Sequence, residues 1–316
     1  MSFLVQESFD RIAKVSVFQR LVAPGLNGPM LLPVDPIGYT FKSRDSDGLP
    51  GFRISFRIEK VKEFTPGPVS ISLYNLGPLS RAVFRKDNLV TVQAGYGDNA
   101  GLIFKGTILR VRTRKQNTDY VTEVEAGDGI FATQNSYVDL SFKTAMPAQA
   151  VLASLVGVMQ TAGVSQGQIL APTALPYASG LVVSGRTVDR IKEVCEKNNL
   201  EFSIQDGMVY ILPRGIPKIA LPVILATGNS PGVANTMPNT GLIGIPEIRE
   251  TGSLTEPSRI SLKSLLNYNI GVFSPLTVFS KFVNGPFTAL KVVHIGDTWT
   301  GPWYTEIEAS GPGLEL

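Results

Sequence analysis

The feature that most constrains the fold is an internal repeat, because a duplicated unit limits the chain to architectures that contain one domain twice. Residues 121–127 (VTEVEAG) and 304–310 (YTEIEAS) align without gaps at an offset of 183. Two upstream strand-like segments also have counterparts in the same order: Leu89–Val92 in Leu276–Val278, and Ile108–Arg112 in Ala289–Val293. Chance explains one match between β-rich segments more easily than three ordered ones. The repeat predicts two copies of one β-domain.

Composition and periodicity agree with a strand-rich chain. Charged residues are 17% of the sequence, whereas roughly 25% is usual. Apolar and polar residues alternate from Phe52 to Glu59, which is typical of a half-buried strand. Similar segments follow to Ala126, and five or six short strands predict an antiparallel barrel or sandwich. On one of them, alternation places Thr107, Leu109, Val111 and Thr113 on one face. The proline-rich stretch 23–38 is expected to be an extended loop.

The middle of the chain changes to helical periodicity. Apolar residues from Ala148 to Met159 recur at helical spacing after Pro147, which predicts an amphipathic helix. A second helix is expected to be capped by Thr187 and to end near residue 198. Asp206-Gly207 then predicts a type I′ hairpin. Residues 227–258, rich in Gly, Pro, Asn and Thr, are expected to form a linker or a long loop before strands resume.

These patterns predict a mainly β protein in which two similar antiparallel barrels flank a small α+β domain. The first barrel domain, with an N-terminal arm and the proline-rich loop, is placed at residues 1–140. The α+β domain, with two helices and a hairpin, is placed at 141–215. The linker and second barrel are placed at 216–316.

The sequence offers few groups for catalysis. His294 is the single histidine and Cys195 the single cysteine, which excludes two-imidazole sites, an internal disulfide and a thiolate zinc cluster. Both residues lie in apolar surroundings and are expected to be packed core residues. Walker, zinc-peptidase and calcium-loop motifs do not occur in the sequence. We therefore expect no catalytic residue, no cofactor and no metal.

Charge and hydropathy constrain the partners and the compartment. The formal net charge is +3, too small for a basic stripe that neutralises many phosphates. Residues 1–20 include Gln6, Glu7, Asp10 and Arg11 and lack the apolar core of a signal peptide. The apolar stretch 150–159 is far shorter than the roughly 20 residues of a membrane span. A soluble protein made in the cytosol is expected.

Two pairs of glutamates lie on the repeated strands, Glu123 with Glu125 and Glu306 with Glu308. A glycosidase uses two carboxylates, but i, i+2 spacing puts each pair on a single strand face, where cross-strand ion pairs explain it. The expected hairpin register sets Arg112 opposite Glu123 and Arg110 opposite Glu125. The glutamates should point out of their barrels, toward a channel lumen or toward the outside, accompanied by Arg110, Arg112 and Lys291.

Several segments, taken in order, resemble the central baseplate hub family of tailed bacteriophages. They are Ile71–Leu76 (ISLYNL) with Ser80-Arg81, Val92–Gly97 (VQAGYG), Ile103–Thr107 (IFKGT) and Glu125–Gly129 (EAGDG). In the middle domain, Ser184–Thr187 (SGRT), Ile204–Gly207 (IQDG) and Leu212-Pro213 are similar to the small domain of the same proteins. Residues 50–215 carry most of the resemblance.

The resemblance implies two tube-type barrels per chain and three chains per ring, so that six barrels join a sixfold tail tube to a threefold spike. The implied partners are the tail tube protein, the spike protein and other baseplate proteins, with DNA only in transit through the channel and no membrane span. The protein would lie in the virion, after synthesis in the host cytoplasm. Related secretion-spike proteins fuse a β-helical needle to the hub, so the spike is expected to be a separate protein here.

Two other function classes stay open at this point. A peripheral baseplate or receptor- and carbohydrate-binding β-module would need exposed aromatic loops rather than equivalent barrels. A cell-wall hydrolase would need a nucleophile and a base that the sequence does not provide.

Overall fold

The computed structural model describes residues 10–23, 30–31, 38–44, 48–62, 67–142, 146–173, 177, 180–227, 240–250 and 257–311. The protein is mainly β, with 57% strand and 13% helix. The strands of the first half are β1 (Arg11–Phe18), β2 (Val22–Ala23), β3 (Met30–Leu31), β4 (Gly38–Lys42), β5 (Ile54–Val61), β6 (Val69–Tyr74), β7 (Leu89–Tyr96), β8 (Asn99–Gln116) and β9 (Asp119–Gly127). The middle strands are β10 (Tyr137–Phe142), β11 (Ser165–Ile169), β12 (Leu181–Arg186), β13 (Leu200–Gln205) and β14 (Met208–Pro213).

The strands of the last third are β15 (Val223–Ala226), β16 (Leu242–Glu250), β17 (Ser258–Leu265), β18 (Pro275–Phe279), β19 (Asn284–Asp297) and β20 (Trp303–Gly311). The helices are α1 (Pro78–Arg81), α2 (Ile130–Asn135), α3 (Ala148–Gln160) and α4 (Thr187–Lys197). Among the described residues, no helix is long and apolar enough to cross a membrane.

One strand order occurs twice within a single 13-stranded sheet. The first copy runs β5-β6-β9-β8-β7-β1, and the second runs β16-β17-β20-β19-β18-β15. Each neighbouring pair within a copy is antiparallel, except that β15 runs parallel to β18. The three repeated sequence segments fall on the corresponding strands β7 and β18, β8 and β19, and β9 and β20. The predicted fold, two similar barrels around an α+β insert, is confirmed.

The two copies also share a β-bulge at the same place. Ile108 pairs with Ala126 and Arg110 with Glu125, so Leu109 is an extra residue in β8. In β19, Leu290 is the extra residue at the corresponding step. The bulge breaks the alternation of β8, because it leaves Leu109 exposed next to the buried Ile108. The prediction that Leu109 shares a face with Thr107 is therefore wrong.

Hydrogen bonds bring the two ends of each strand run together. In the first copy, β4 continues the run beyond β1, and the Phe52 amide donates to the Lys42 carbonyl at 3.0 Å, which links the residues just before β5 to the end of β4. In the second copy, the Thr240 amide donates to the Ala226 carbonyl at 3.3 Å, which links the lead-in of β16 to the end of β15. Each run encloses a cluster of buried side chains, and Leu266 and Trp303 of the second copy pack into the cluster of the first.

The insert has a separate apolar core. The six apolar residues of the predicted helix Ala148–Met159 are the buried residues of α3, which follows Pro147 as expected. The hairpin turn between β13 and β14 has positive φ at both Asp206 and Gly207, as a type I′ turn requires. Thr187 is the first residue of α4, and the N-cap position belongs to Arg186, so the predicted cap is wrong by one residue.

The buried clusters change over between Ala126 and Ala132 and again between Ile211 and Leu212. The proposed bounds 1–140, 141–215 and 216–316 remain predictions.

Two loop predictions need correction. β16 lies inside the predicted linker 227–258. Its Gly244 and Pro246 are residue types that are rare in strands, so the sequence pattern did not indicate a strand there. The strand tolerates them because its register with β17 is irregular and its other edge has no partner strand among the described residues. In the predicted loop 23–38, β2 pairs with β3 and β4 begins at Gly38. Residues 24–29, 32–37, 228–239 and 251–256 of these two segments lie outside the described residues.

Candidate assembly surface and barrel junction

The two barrels are joined by one strand pair, the antiparallel β19–β5 junction. Its register runs from Lys291 opposite Val61 to Asp297 opposite Ser55. At one end, the Arg53 guanidinium donates to Asp297 at 2.7 and 3.3 Å. This ion pair is largely shielded from solvent and raises the pKa of Arg53. The junction makes the outer faces of the two barrels one continuous sheet surface.

We call this surface the shared sheet face. It is the outward side of β17, β20, β19, β5, β6, β9 and β8. The predicted orientation of the acidic strands is found in both copies: Thr122, Val124 and Ala126 are buried in the first, and Thr305, Ile307 and Ala309 in the second. Burying four carboxylates instead would carry a large desolvation penalty. Alternation therefore directs Glu123, Glu125, Glu306 and Glu308 outward onto the shared sheet face.

In the first barrel, arginines of β8 neutralise the glutamates of β9. The predicted register is found, with Arg110 opposite Glu125 and Arg112 opposite Glu123. Arg110 donates to both Glu125 oxygens, at 2.5 and 3.0 Å, and this contact lowers the pKa of Glu125. Glu123 instead accepts from Arg114 at 2.5 Å, a diagonal contact within reach of a long side chain. Arg112 contributes a smaller electrostatic lowering of the Glu125 pKa.

In the second barrel, Lys291 holds the position of Arg110, whereas Val293 and Ile295 hold those of Arg112 and Arg114. Lys291 stands opposite Glu308, but its ammonium contacts Glu59 of β5 at 2.9 Å, across the junction. Glu306 contacts Lys263 at 3.4 Å. Lys263, Glu306 and Lys291 line a groove of about 330 Å³ on the shared sheet face. The shared sheet face is thus a surface of paired charges of both signs.

A buried polar cluster fixes the insert against the first barrel, and the sequence analysis missed it. Lys60 of β5 is 6% exposed and donates to both oxygens of Asp206, at 2.7 and 2.6 Å. Asp128 accepts the backbone N–H groups of Asp206 and Gly207. Burial, with a smaller contribution from the Asp206 charge, raises the pKa of Asp128 to about 8. The Asp-Gly turn signalled a hairpin, but nothing in the sequence linked it to Lys60.

His294 and Cys195 are core residues, as expected. His294 is fully buried and its Nδ1 lies 3.0 Å from the Thr305 hydroxyl. Burial, reinforced by the Lys60 charge, lowers its pKa to about 3. Burial raises the pKa of the Cys195 thiol to about 12, the opposite of what a nucleophile needs. Within the described residues, no cluster of three or more His, Cys, Asp and Glu could hold a metal ion.

The Thr305 contact has its own counterpart in the first barrel. Thr113 and Thr122 occupy the positions of His294 and Thr305, and their hydroxyls are 3.3 Å apart. The repeat therefore extends from strand order to bulge position and to a polar cross-strand pair.

The fold of this chain is similar to the folds of bacteriophage tail proteins and of a type VI secretion component. A prophage MuSo2 43 kDa tail protein from Shewanella oneidensis matches with a TM-score of 0.56 and 8% identity, over 84% of this chain and 96% of that chain. A tail protein from Neisseria meningitidis MC58 matches with a TM-score of 0.56 and 10% identity, over 83% and 97%.

A third structure extends the likeness to secretion systems. It is the E. coli protein c3393, a type VI secretion component described as structurally similar to the T4 bacteriophage tail proteins gp27 and gp5. It matches with a TM-score of 0.52 and 10% identity, over 84% of this chain and 74% of that chain. No protein-family model matches the sequence, and no curated protein matches it. At these identities the likeness shows the fold alone.

Proposed function

We propose that this protein is the central hub of a phage tail baseplate, a homotrimeric ring that joins the tail tube to the spike and forms part of the DNA channel. The observation that carries the proposal is the repeated strand order within one continuous sheet. A ring-builder needs equivalent barrels, and two barrels in each of three chains supply six. The fold shared with tail proteins supports the same assignment.

The proposed partners are the tail tube protein on one side of the ring and the spike and other baseplate proteins on the other. The protein would act in the virion, after synthesis in the host cytoplasm, as a structural component without catalytic activity. The packed environments of His294 and Cys195 support the last point, because neither side chain is exposed or activated as a nucleophile.

We further propose that the shared sheet face lines the channel. Both barrels contribute to this surface continuously through the β19–β5 junction. Four of its basic side chains contact glutamates: Arg110 contacts Glu125, Arg114 contacts Glu123, Lys263 contacts Glu306 and Lys291 contacts Glu59. A surface of unpaired cations would bind DNA phosphates and retain them. A surface of paired charges lets DNA pass without sticking.

A reconstruction of the assembled tail tip tests the proposal. Three copies of this chain in the layer between tube and spike are expected, with Glu123 and Glu306 pointing toward the threefold axis. Two or six copies in that layer would rule out the hub. Three copies with both carboxylates pointing away from the axis would end the channel-lining proposal while leaving the hub intact.

A second candidate is a peripheral baseplate or receptor-binding module. The observation that favours it is Trp299, which is 64% exposed in the β19–β20 loop. Binding of the purified chain to host cell-wall carbohydrate, abolished by Trp299→Ala, would support that function. A Trp299→Ala chain that still assembles three copies per tail would support the hub.

A further inference from the structure

Among the strand edges without a partner strand in the described residues, two lie in β8 and β16. Residues 110–116 of β8 pair on one side with β9 alone, because β7 pairs only as far as Thr107. β16 pairs on one side with β17. A free edge exposes backbone N–H and C=O groups that can accept another strand. The edge of β16 lacks one N–H, at Pro246, so a partner strand would bind its remaining backbone groups.

The repeat shows what such edges bind. The segment of β19 that corresponds to residues 110–116 is residues 291–297, and the strand that corresponds to β16 is β5. These two segments pair with each other to form the junction between the barrels. The chain therefore forms this junction once, between β19 and β5. The corresponding segments, residues 110–116 of β8 and β16, have no partner strand among the described residues.

We propose that residues 110–116 of one chain pair antiparallel with β16 of a second copy of this chain, in the register of the β19–β5 junction. The proposal deepens the proposed hub function, on which it rests for the number of copies in the ring. It names the two surfaces that meet between chains.

The register follows from the neighbouring strands, β6 beside β5 and β17 beside β16, because they align β5 with β16. Arg57 of β5 faces Ser70 of β6, and Glu247 of β16 faces Ser261 of β17 at the corresponding position. Arg57 stands opposite Ile295 at the internal junction. The position in β8 that corresponds to Ile295 is Arg114. Arg114 of one chain therefore stands opposite Glu247 of the next.

Residues along the two free edges are less buried than their counterparts at the internal junction, as expected if a partner strand is missing from the single chain. His294 at the internal junction is fully buried, whereas its counterpart Thr113 is exposed. Ile58 is fully buried, whereas its counterpart Ile248 is half-buried. β16 also exposes large apolar side chains, with Ile245 59% exposed. Pairing of the two edges would cover residues that the single chain leaves open.

Charge selects this pairing over the alternatives. Residues 110–115 carry Arg110, Arg112, Arg114 and Lys115, so two β8 edges would place like charges together, which is destabilising. β16 offers Glu247, whose carboxylate is well exposed. Arg114 is also well exposed. β16 carries one arginine, Arg249, which contacts Glu247 at 3.2 Å, so the four cations of residues 110–115 meet less like charge on β16 than on a second β8 edge.

Disulfide trapping tests the register. The full-length chain with Arg114→Cys and Glu247→Cys would be oxidised in solution and separated on a non-reducing gel. Directly opposed residues of an antiparallel pair have Cα atoms about 4.5–5.5 Å apart, within the range that a disulfide spans. The matched control is Arg112→Cys with Glu247→Cys, which moves one cysteine by two residues, or about 7 Å along the strand. Both changed positions are exposed, so folding should be unaffected.

The expected result is a covalent trimer from the in-register pair, with at least fivefold less product from the control and only dimers from either single variant. A disulfide accumulates even from transient encounters, so the absence of in-register product would overturn the edge pairing. Equal yields from both pairs would also overturn it. Three copies in the tail reconstruction without in-register disulfide product would refute the edge pairing and leave the hub assignment unaffected. Covalent chains that grow past three would support the edge pairing and overturn the threefold ring.

Discussion

Removing the Lys60 ammonium should free the insert from the first barrel. In Lys60→Met, the apolar stem is kept while the Asp206 carboxylate loses the donor that contacts both its oxygens, at 2.7 and 2.6 Å. Breaking a buried ion pair by removing one partner costs about 3–5 kcal/mol. Because Asp206 is 22% exposed, water compensates in part, so we expect the lower end, about 3 kcal/mol. That is roughly a hundredfold increase in local opening.

Hydrogen exchange of the β13 and β14 amides measures this opening directly, since local opening is reported segment by segment. Arg110→Met is the matched control: it breaks a solvent-exposed pair with Glu125, and exposed ion pairs contribute little to stability. Adding Asp206→Asn to Lys60→Met should recover part of the loss, because no uncompensated charge remains and Asn tolerates the positive φ of this turn. A Lys60→Met effect no larger than the control, or no recovery in the double variant, would refute the reasoning.

Three further predictions follow from single buried groups. The pKa of Asp128 is raised to about 8, so its contribution to stability is present at acid pH and lost as the pH rises through about 8; Asp128→Asn should flatten the dependence of the urea midpoint on pH between 5 and 8. Gly296→Ala would place a Cβ 2.4 Å from the Phe56 ring and 2.7 Å from Trp303; overpacking of this kind typically costs about 1–3 kcal/mol, visible as a lower Tm and a changed tryptophan fluorescence. Cys195 should react with a thiol reagent at pH 8 only after denaturation, because its thiol is buried with a pKa of about 12; rapid reaction of the native chain would contradict its burial.

Local patterns were sufficient where one residue type and its neighbours decide the outcome. The helix Ala148–Met159 was predicted with its buried residues because apolar residues that recur with a period of 3.6 lie on one face of a helix. The Asp206-Gly207 hairpin was predicted because few residues accept positive φ twice in succession. The ladder of Arg110, Arg112, Glu123 and Glu125 was predicted because cross-strand register follows from the turn.

Local patterns failed where a distant strand changes the rule. β16 was predicted as part of a linker because Gly244 and Pro246 are depleted in strands, and only its place at an edge makes them tolerable. Leu109 was assigned to the wrong face because a bulge inserts one residue without a sequence marker. Glu123 contacts Arg114 rather than Arg112, because side-chain reach across a twisted pair is not encoded in the register.

The sequence by itself determined that the chain contains one β-domain twice, because strand alternation and the match at an offset of 183 residues can both be read from the order of the residues. It also determined which sides of the repeated strands carry charge. Only the tertiary structure decided that β19 pairs with β5, because contacts between residues more than 200 positions apart leave no periodic trace in one sequence. The same pairing buries His294, joins two barrel surfaces into one face and leaves the edges of β8 and β16 open.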